Sequence, residues 1–372
     1  MNATTTPQTA APEKTHLKIG FVPLADAAPL VAAKLLEFGH AHGLTLELSR
    51  QPSWAALRDK LITGEIDAAH SLYGLVYGVQ LGLGAPQTDM AVLMVLNRNG
   101  QAISLSNRLS AALAEHGTLP RALAALGGKP VFAQTFPTGT HAMWLYYWLA
   151  SQGVHPLRDI ESVVIPPPQM AAALAEGKLD GLCAGEPWPS LAQARGVGRT
   201  AIRSGEIWPD HPEKVLACRR DFVARYPNTA RALVRAMLEA CRWLDGAGNR
   251  DEIAQWLARP EMLDVDAALI AGGLSAGLPA SMQFFEAGRV NYPHESEGVW
   301  FLTQFERWGM LARRGDYREI AQALNQTALY REAAARIHVA VPPAAAARPF
   351  VDGRVWDGGD AARYVDGFDV RA

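Results

Sequence analysis

The sequence predicts an α/β protein of two lobes with a ligand cleft between them. Three observations lead there. Apolar strands alternate with amphipathic helices from Leu17 to about Ile202, a fresh block of the same kind begins near Pro130, and 372 residues exceed one compact core of ordinary size.

Taken in order, LKIGFVPL (17–24) reads as a strand and APLVAAKLLEFGHAHG (28–43) as a helix stopped by Gly43. LTLELSR (44–50) is a second strand and SWAALRDKLITGE (53–65) a second helix, with Ala55, Leu57, Leu61 and Ile62 on one side. IDAAHSLYG and MAVLMVL continue as strand-like runs. Strands at 130–135 and 162–166 flank another helix, and a helix from Met170 to Gly177 precedes LDGLCAG. Beyond residue 227 the pattern turns helical, and past Val341 it is rich in Ala, Pro and Gly.

This assigns residues 17–106 and 204–341 to a first lobe, 107–203 to a second, inserted lobe, and 342–372 to a tail that wraps the surface or is disordered. Residues 1–16 read as a disordered lead-in. Crossover strands near Ser104 to Asn107 and Ala201 to Ser204 would join the lobes, with a mainly parallel sheet implied by the βαβ pattern.

Charge is nearly balanced, with 35 Lys+Arg against 37 Asp+Glu, and no basic block is present, so direct nucleic-acid contact is not expected. Cys183, Cys218 and Cys241 lie far apart, which fits small core residues better than a zinc site or disulfide framework. No apolar run approaches membrane-spanning length, so membrane insertion is not expected. The N-terminus shows no export signal, and a cytoplasmic protein is the expectation. No GxxxxGK[ST], GxGxxG or HExxH occurs, and no cofactor or metal is implied. GLSAG (273–277) matches GxSxG but follows a helical pattern, so a catalytic Ser275 lacks its strand-turn-helix setting. HAH (40–42) reads as a solvent-facing helix end. A non-enzymatic role follows from these absences.

Hydrogen-bond donors gather instead at the predicted cleft edges. His141 follows Gly139 and Thr140 at a helix start, where free N–H groups and the dipole favour anions. The plainer alternative has Thr140 capping the helix and His141 packing. Gly100 and Gln101 follow an apolar strand, where a glycine lets a ligand approach the backbone, although a simple turn would look the same. Trp54 opens a helix with an indole N–H to offer, and Lys214 in HPEK precedes an apolar run. Core packing and solvation are their ordinary roles. Glu186 and Trp188 in GEPWP form a rigid turn.

Together LNRNGQAISLSN, FPTGTHAMWLYYWLASQGV, VIPPPQMAAALAEGKLDGLCAGEPW and the segment from GEIWPDHPEKV to ACRRDFVARYPNTARALV resemble the nitrate- and bicarbonate-binding proteins of bacterial ABC importers. The resemblance runs from about Leu17 to Arg336 and implies their type II periplasmic-binding-protein fold. It implies that Trp54, Gln101, His141 and Lys214 hold the anion, with Gly100 and Thr140 alongside. Nitrate offers only acceptor oxygens, so a site of donors suits it. The bicarbonate-binding branch places an acid where Lys214 stands, so Lys214 points to nitrate or nitrite. A member without an export signal looks like the NasS-type cytoplasmic nitrate/nitrite sensors, which control a NasT-type RNA-binding antiterminator. The other reading is the substrate-binding component of a nitrate or bicarbonate importer.

Overall fold

The computed structural model describes residues 10–275, 277, 280–343 and 347–372. Ten strands are found among them: β1 (His16–Phe21), β2 (Thr45–Arg50), β3 (Ala68–Leu72), β4 (Met90–Arg98), β5 (Gln101–Ser106), β6 (Val131–Gln134), β7 (Glu161–Val164), β8 (Gly181–Gly185), β9 (Gly198–Arg203) and β10 (Pro212–Arg219). They form two five-stranded sheets, ordered β2-β1-β3-β10-β4 and β7-β6-β8-β5-β9.

The parallel arrangement expected from the βαβ pattern holds for three strands of each sheet. β1 runs parallel to β2 and β3, and β6 to β7 and β8. The sheets are nevertheless mixed. β10 is antiparallel to β3 and β4, and β5 is antiparallel to β8 and β9. These strands enter from the other lobe, without the helical crossover that parallel pairing requires.

The chain leaves the first sheet at Arg98 and joins the second at Gln101, crossing through Asn99 and Gly100, whose φ values of 57° and 91° are left-handed. It returns between Arg203 and Pro212. Residues 101–106, expected in the first lobe, therefore pair within the second sheet. Asn97, Asn99 and Gly100 mark a turn, but a turn does not say that the strand after it joins another sheet.

Two helices differ from expectation. The helix begun at Ala28 stops at Leu35, because Glu37 takes φ 57°, and His40–His42 form a separate 3₁₀ turn ended by Gly43. His40 is exposed, but His42 is half-buried and meets Glu239 at 3.0 Å. The strand-like run IDAAHSLYG is a strand over Ala68–Leu72, and its last two residues open a helix, Tyr73–Gln80. It is apolar nearly all round and buried, so it lacks the polar face that marks a helix in sequence.

The described residues near both chain ends pack against the lobes more than their composition suggests. Residues 1–9 of the expected lead-in lie outside the described residues, but Glu13 accepts the backbone N–H groups of Asn228 and Thr229, and Lys14 pairs with Asp67. In the tail, Phe350, Trp356 and Phe368 are buried and Ala361–Asp366 is helical. This segment touches both lobes. Asp352 accepts from Tyr147 on the helix Thr140–Ser151 at 2.9 Å, while Trp356 donates to Ser296 on the helix Glu295–Arg307 at 2.8 Å. Beneath it Trp144 stacks on Trp300 with ring centres 5.0 Å apart. No helix among the described residues is long and apolar enough to cross a membrane.

Candidate functional site

Strand ends and helix starts from both sheets converge on one fully buried polar cluster. The first lobe supplies Asp26 from the turn after β1, Trp54 at the start of its helix, His70 from β3, and Glu213 and Lys214 from β10. From the second come Gln101 at the head of β5, Thr135 just after β6, and Thr140, His141 and Trp144 from the first turns of their helix. Asp26, His70, Gln101, Thr140, His141, Glu213 and Lys214 each expose 1% of their surface or less.

The bonding pattern fixes the orientation of each group. Lys214 Nζ lies 2.8 Å from Asp26 Oδ2 and 2.9 Å from Glu213 Oε1. Gln101 donates its amide N–H to Asp26 Oδ2 at 3.2 Å, so its carbonyl oxygen faces His141 Nε2 at 2.6 Å. An amide oxygen only accepts, hence Nε2 carries the proton, and Nδ1 accepts the hydroxyl of Thr135 at 2.5 Å. One carboxylate thus sets an amide, an imidazole tautomer and a hydroxyl in turn. On the far side Glu213 Oε2 accepts the indole N–H of Trp144 at 2.7 Å, and Oε1 accepts the hydroxyl of Thr140.

Electrostatics follow the same geometry. Burial works to raise the Asp26 carboxyl, but the Lys214 ammonium and His70 outweigh it and hold Asp26 well below the usual carboxylate range. Burial pulls Lys214 down, yet Asp26 and Glu213 raise it overall. Glu213 is pushed up by burial, against the pull of Lys214, Thr140 and Trp144. Burial, reinforced by Lys214, drives His141 well below its ordinary value, so the ring is neutral. The 3.9 Å approach of its Nε2 to Glu213 is therefore no ion pair.

Five of the six residues singled out from sequence meet in this cluster. Trp54 walls it, with Lys214 Nζ 5.7 Å from its ring centre and the His70 ring 5.7 Å away. Its indole N–H is buried with no partner. Ser53 caps that helix by accepting from Ala56, which leaves Trp54 free to face inward. Thr140 is not the cap of its own helix, since Gly139 occupies that position, and its hydroxyl goes to Glu213 instead. Gly100 serves the crossing: its backbone is left-handed, and its carbonyl accepts from Glu186 at 3.1 Å. Lys214, for which solvation at a strand entrance was the ordinary alternative, sits inside the first sheet between β3 and β4.

A site built of donors alone was the expectation, and the structure corrects it. Asp26 and Glu213 place two carboxylates among the donors. Asp26 had a signal, being a lone acid in the apolar run LADAAPLVAA, which implies a buried and partnered charge. Glu213 adjoins Lys214 in sequence, but strand alternation would send the two to opposite faces. The register shifts between Pro212 and Val215 bring their charged ends together.

Other candidates settle elsewhere. Trp188 donates to Pro23 O at 2.9 Å and Glu186 O accepts from Ala25 at 2.8 Å, so the GEPWP turn ties the lobes together. The Glu186 carboxyl meets Arg203 at 3.3 Å. Ser275 ends the helix Ala267–Leu274 and donates to Ala271 O, a helix end rather than a nucleophile turn. Ala276 of that motif lies outside the described residues. The three cysteines are free and buried.

Two mixed-sheet lobes closed over a buried, charge-bearing cluster define a two-lobed binding-protein fold of the periplasmic type. The chain belongs to the NMT1-like family, whose model matches residues 10–258, and within it to the NrtA- and CmpA-like group. It is 36% identical to the nitrate/nitrite binding protein NrtA of Synechocystis sp. over 97% of this chain and 86% of that one. Against the bicarbonate-binding protein CmpA of Synechococcus sp. the identity is 31%, covering 87% and 78%. The crystal structure of the periplasmic nitrate-binding protein NrtA from Synechocystis PCC 6803 superposes with a TM-score of 0.90 at 34% identity, covering 97% of this chain and 100% of that chain.

Proposed function

We propose that this chain captures nitrate or nitrite between its lobes, with Trp54, Gln101, His141, Lys214 and Thr140 as the groups that hold it. One observation supports this most directly: the indole N–H of Trp54 is buried without an acceptor beside the Lys214 ammonium. A buried unpaired donor costs about 1–3 kcal/mol, and an anion oxygen is the partner its surroundings suit. The resemblance to nitrate/nitrite binding proteins along nearly the whole chain supports the same ligand class.

Within that class we read the protein as a cytoplasmic NasS-type sensor that restrains a NasT-type antiterminator and releases it when the anion closes the lobes. The balanced charge agrees with leaving RNA contact to that partner. Anion and partner favour different lobe arrangements, so each weakens the other's binding reciprocally. A coupling of about 1–3 kcal/mol changes partner affinity roughly 5- to 150-fold. The second reading is the binding component of a nitrate or bicarbonate importer, favoured by the similarity to periplasmic NrtA and to CmpA.

Calorimetric titration with nitrate, nitrite and bicarbonate tests the ligand. The site assignment falls if no anion binds, or if Lys214→Glu leaves nitrate affinity unchanged. Titrating nitrate into the complex with a NasT-type protein separates the deployments: release supports the sensor, and absence of a complex together with recovery from the periplasm supports the importer.

A further inference from the structure

We propose that the anion enters this site together with a proton, which Glu213 holds. The inference rests on the anion-binding reading above and adds a co-ligand to it.

Charge balance is the starting point. With Asp26 and Glu213 ionised and Lys214 protonated, the buried cluster carries one net negative charge, because His70 and His141 are lowered mainly by burial and stand neutral. Adding a monoanion brings that to two in a volume from which water is excluded, which low-dielectric surroundings oppose strongly. One proton on a carboxylate relieves it.

Donor supply leads to the same residue. Glu213 Oε1 consumes one proton of Lys214 and the hydroxyl proton of Thr140, two of the groups assigned to the anion. A proton taken from bulk acid forms an O–H bond at Oε1, and that hydroxyl donates to Thr140 Oγ1. The Thr140 hydrogen then turns away from Glu213, and Lys214 loses one of its two carboxylate partners. Both donors pass to the anion, while Trp144 continues to donate to Oε2.

The neighbours make Glu213 the natural proton acceptor. Asp26 is committed to Lys214, His70 and Gln101, all of which stabilise its charge. His70 has an unpartnered Nδ1, and a proton there would find no acceptor. His141 already donates from Nε2 and accepts at Nδ1. His211, 3.6 Å from Glu213, uses its Nδ1 proton on Pro212 O and is held low by burial, Arg98 and Lys214. On the second-lobe side Cys183 of β8 feels the Glu213 charge and has no bond to it. Burial already biases Glu213 toward its neutral form.

The test is calorimetry of the full chain with sodium nitrate, in buffers of different ionisation enthalpy at several pH values. Expected is uptake of close to one proton per nitrate, with affinity weakening by up to about tenfold per pH unit as the pH rises. Glu213→Gln keeps a donor toward Thr140 and should bind with no proton uptake and little pH dependence. A protonated-carboxyl stretch appearing in the infrared difference spectrum of the unaltered protein on nitrate addition supports the assignment independently of any variant. Nitrate binding without proton uptake overturns the proposal and leaves the anion site standing, as does uptake that persists in Glu213→Gln. Absence of any anion binding overturns the underlying reading as well.

Discussion

Lys214 Nζ and Asp26 Oδ2 lie 2.8 Å apart, with no exposed side-chain surface on either residue. The pair joins β10 to the turn after β1, and its removal on one side leaves an uncompensated charge in the core. Lys214→Met is expected to destabilise the protein by about 3–5 kcal/mol, because Asp26 and Glu213 lose their shared cation. The double variant Lys214→Met with Asp26→Asn should recover part of that loss. Urea unfolding of the two single variants and the double variant measures the coupling; strict additivity would show that the pair does not act as one unit.

Acid should weaken the fold well before the carboxylates titrate. Burial holds His211 down at about 3 and His141 well below its ordinary value, so the unfolded chain binds protons that the folded one refuses. Their neutral forms cost nothing above the unfolded histidine value near 6.5, and stability is lost as pH falls below it. Each such histidine contributes a slope of up to about 1.4 kcal/mol per pH unit in that window. Asp26, with its lowered value, adds a second loss only below the unfolded aspartate value near 4. Unfolding midpoints across this range should therefore fall before the carboxylate region is reached.

Trp54→Phe keeps an aromatic wall and deletes the unpartnered indole N–H. Nitrate affinity is expected to drop roughly 10- to 150-fold, the equivalent of a hydrogen bond to a charged group at about 1.5–3 kcal/mol. Stability without anion should change by only about 1 kcal/mol, since loss of ring volume opposes relief of a buried donor. Titration calorimetry and thermal unfolding read the two effects separately.

Phe350 packs on Trp208 at 4.8 Å and on Tyr147 at 5.0 Å, and it is buried although it belongs to a tail of low-complexity composition. Phe350→Ala is expected to cost about 3–5 kcal/mol, the usual range for a buried aromatic. A loss below about 1 kcal/mol would mean that the tail is only loosely seated. Chemical denaturation checks this directly.

Much of the architecture is legible in residue patterns because strand and helix periods survive in β1, β2, the helix after Ser53 and the Pro130 block. What escaped notice has physical causes. The helix Tyr73–Gln80 is buried on all sides and so carries no polar stripe. The switch from β4 to β5 passes through two left-handed residues, and a turn signal there does not tell which sheet the next strand joins. Donors at helix starts, such as His141 and Trp54, announce themselves by position, whereas Asp26 acts through His70 and Lys214, 44 and 188 residues away in sequence. Glu213 is the sharpest case, since only the irregular register of β10 brings it to the same side as Lys214. The tail's composition left open whether it wraps the surface or is disordered, and three aromatics spaced along it anchor it.

The two places where backbone passes between the sheets, Asn99–Gly100 and the stretch from Arg203 to Pro212, have a mechanical meaning. Any rocking of one half against the other turns about a line through them, and Gln101 and Lys214 stand one and two residues from its ends. Groups near a pivot travel least, so these two stay poised as a fixed seat.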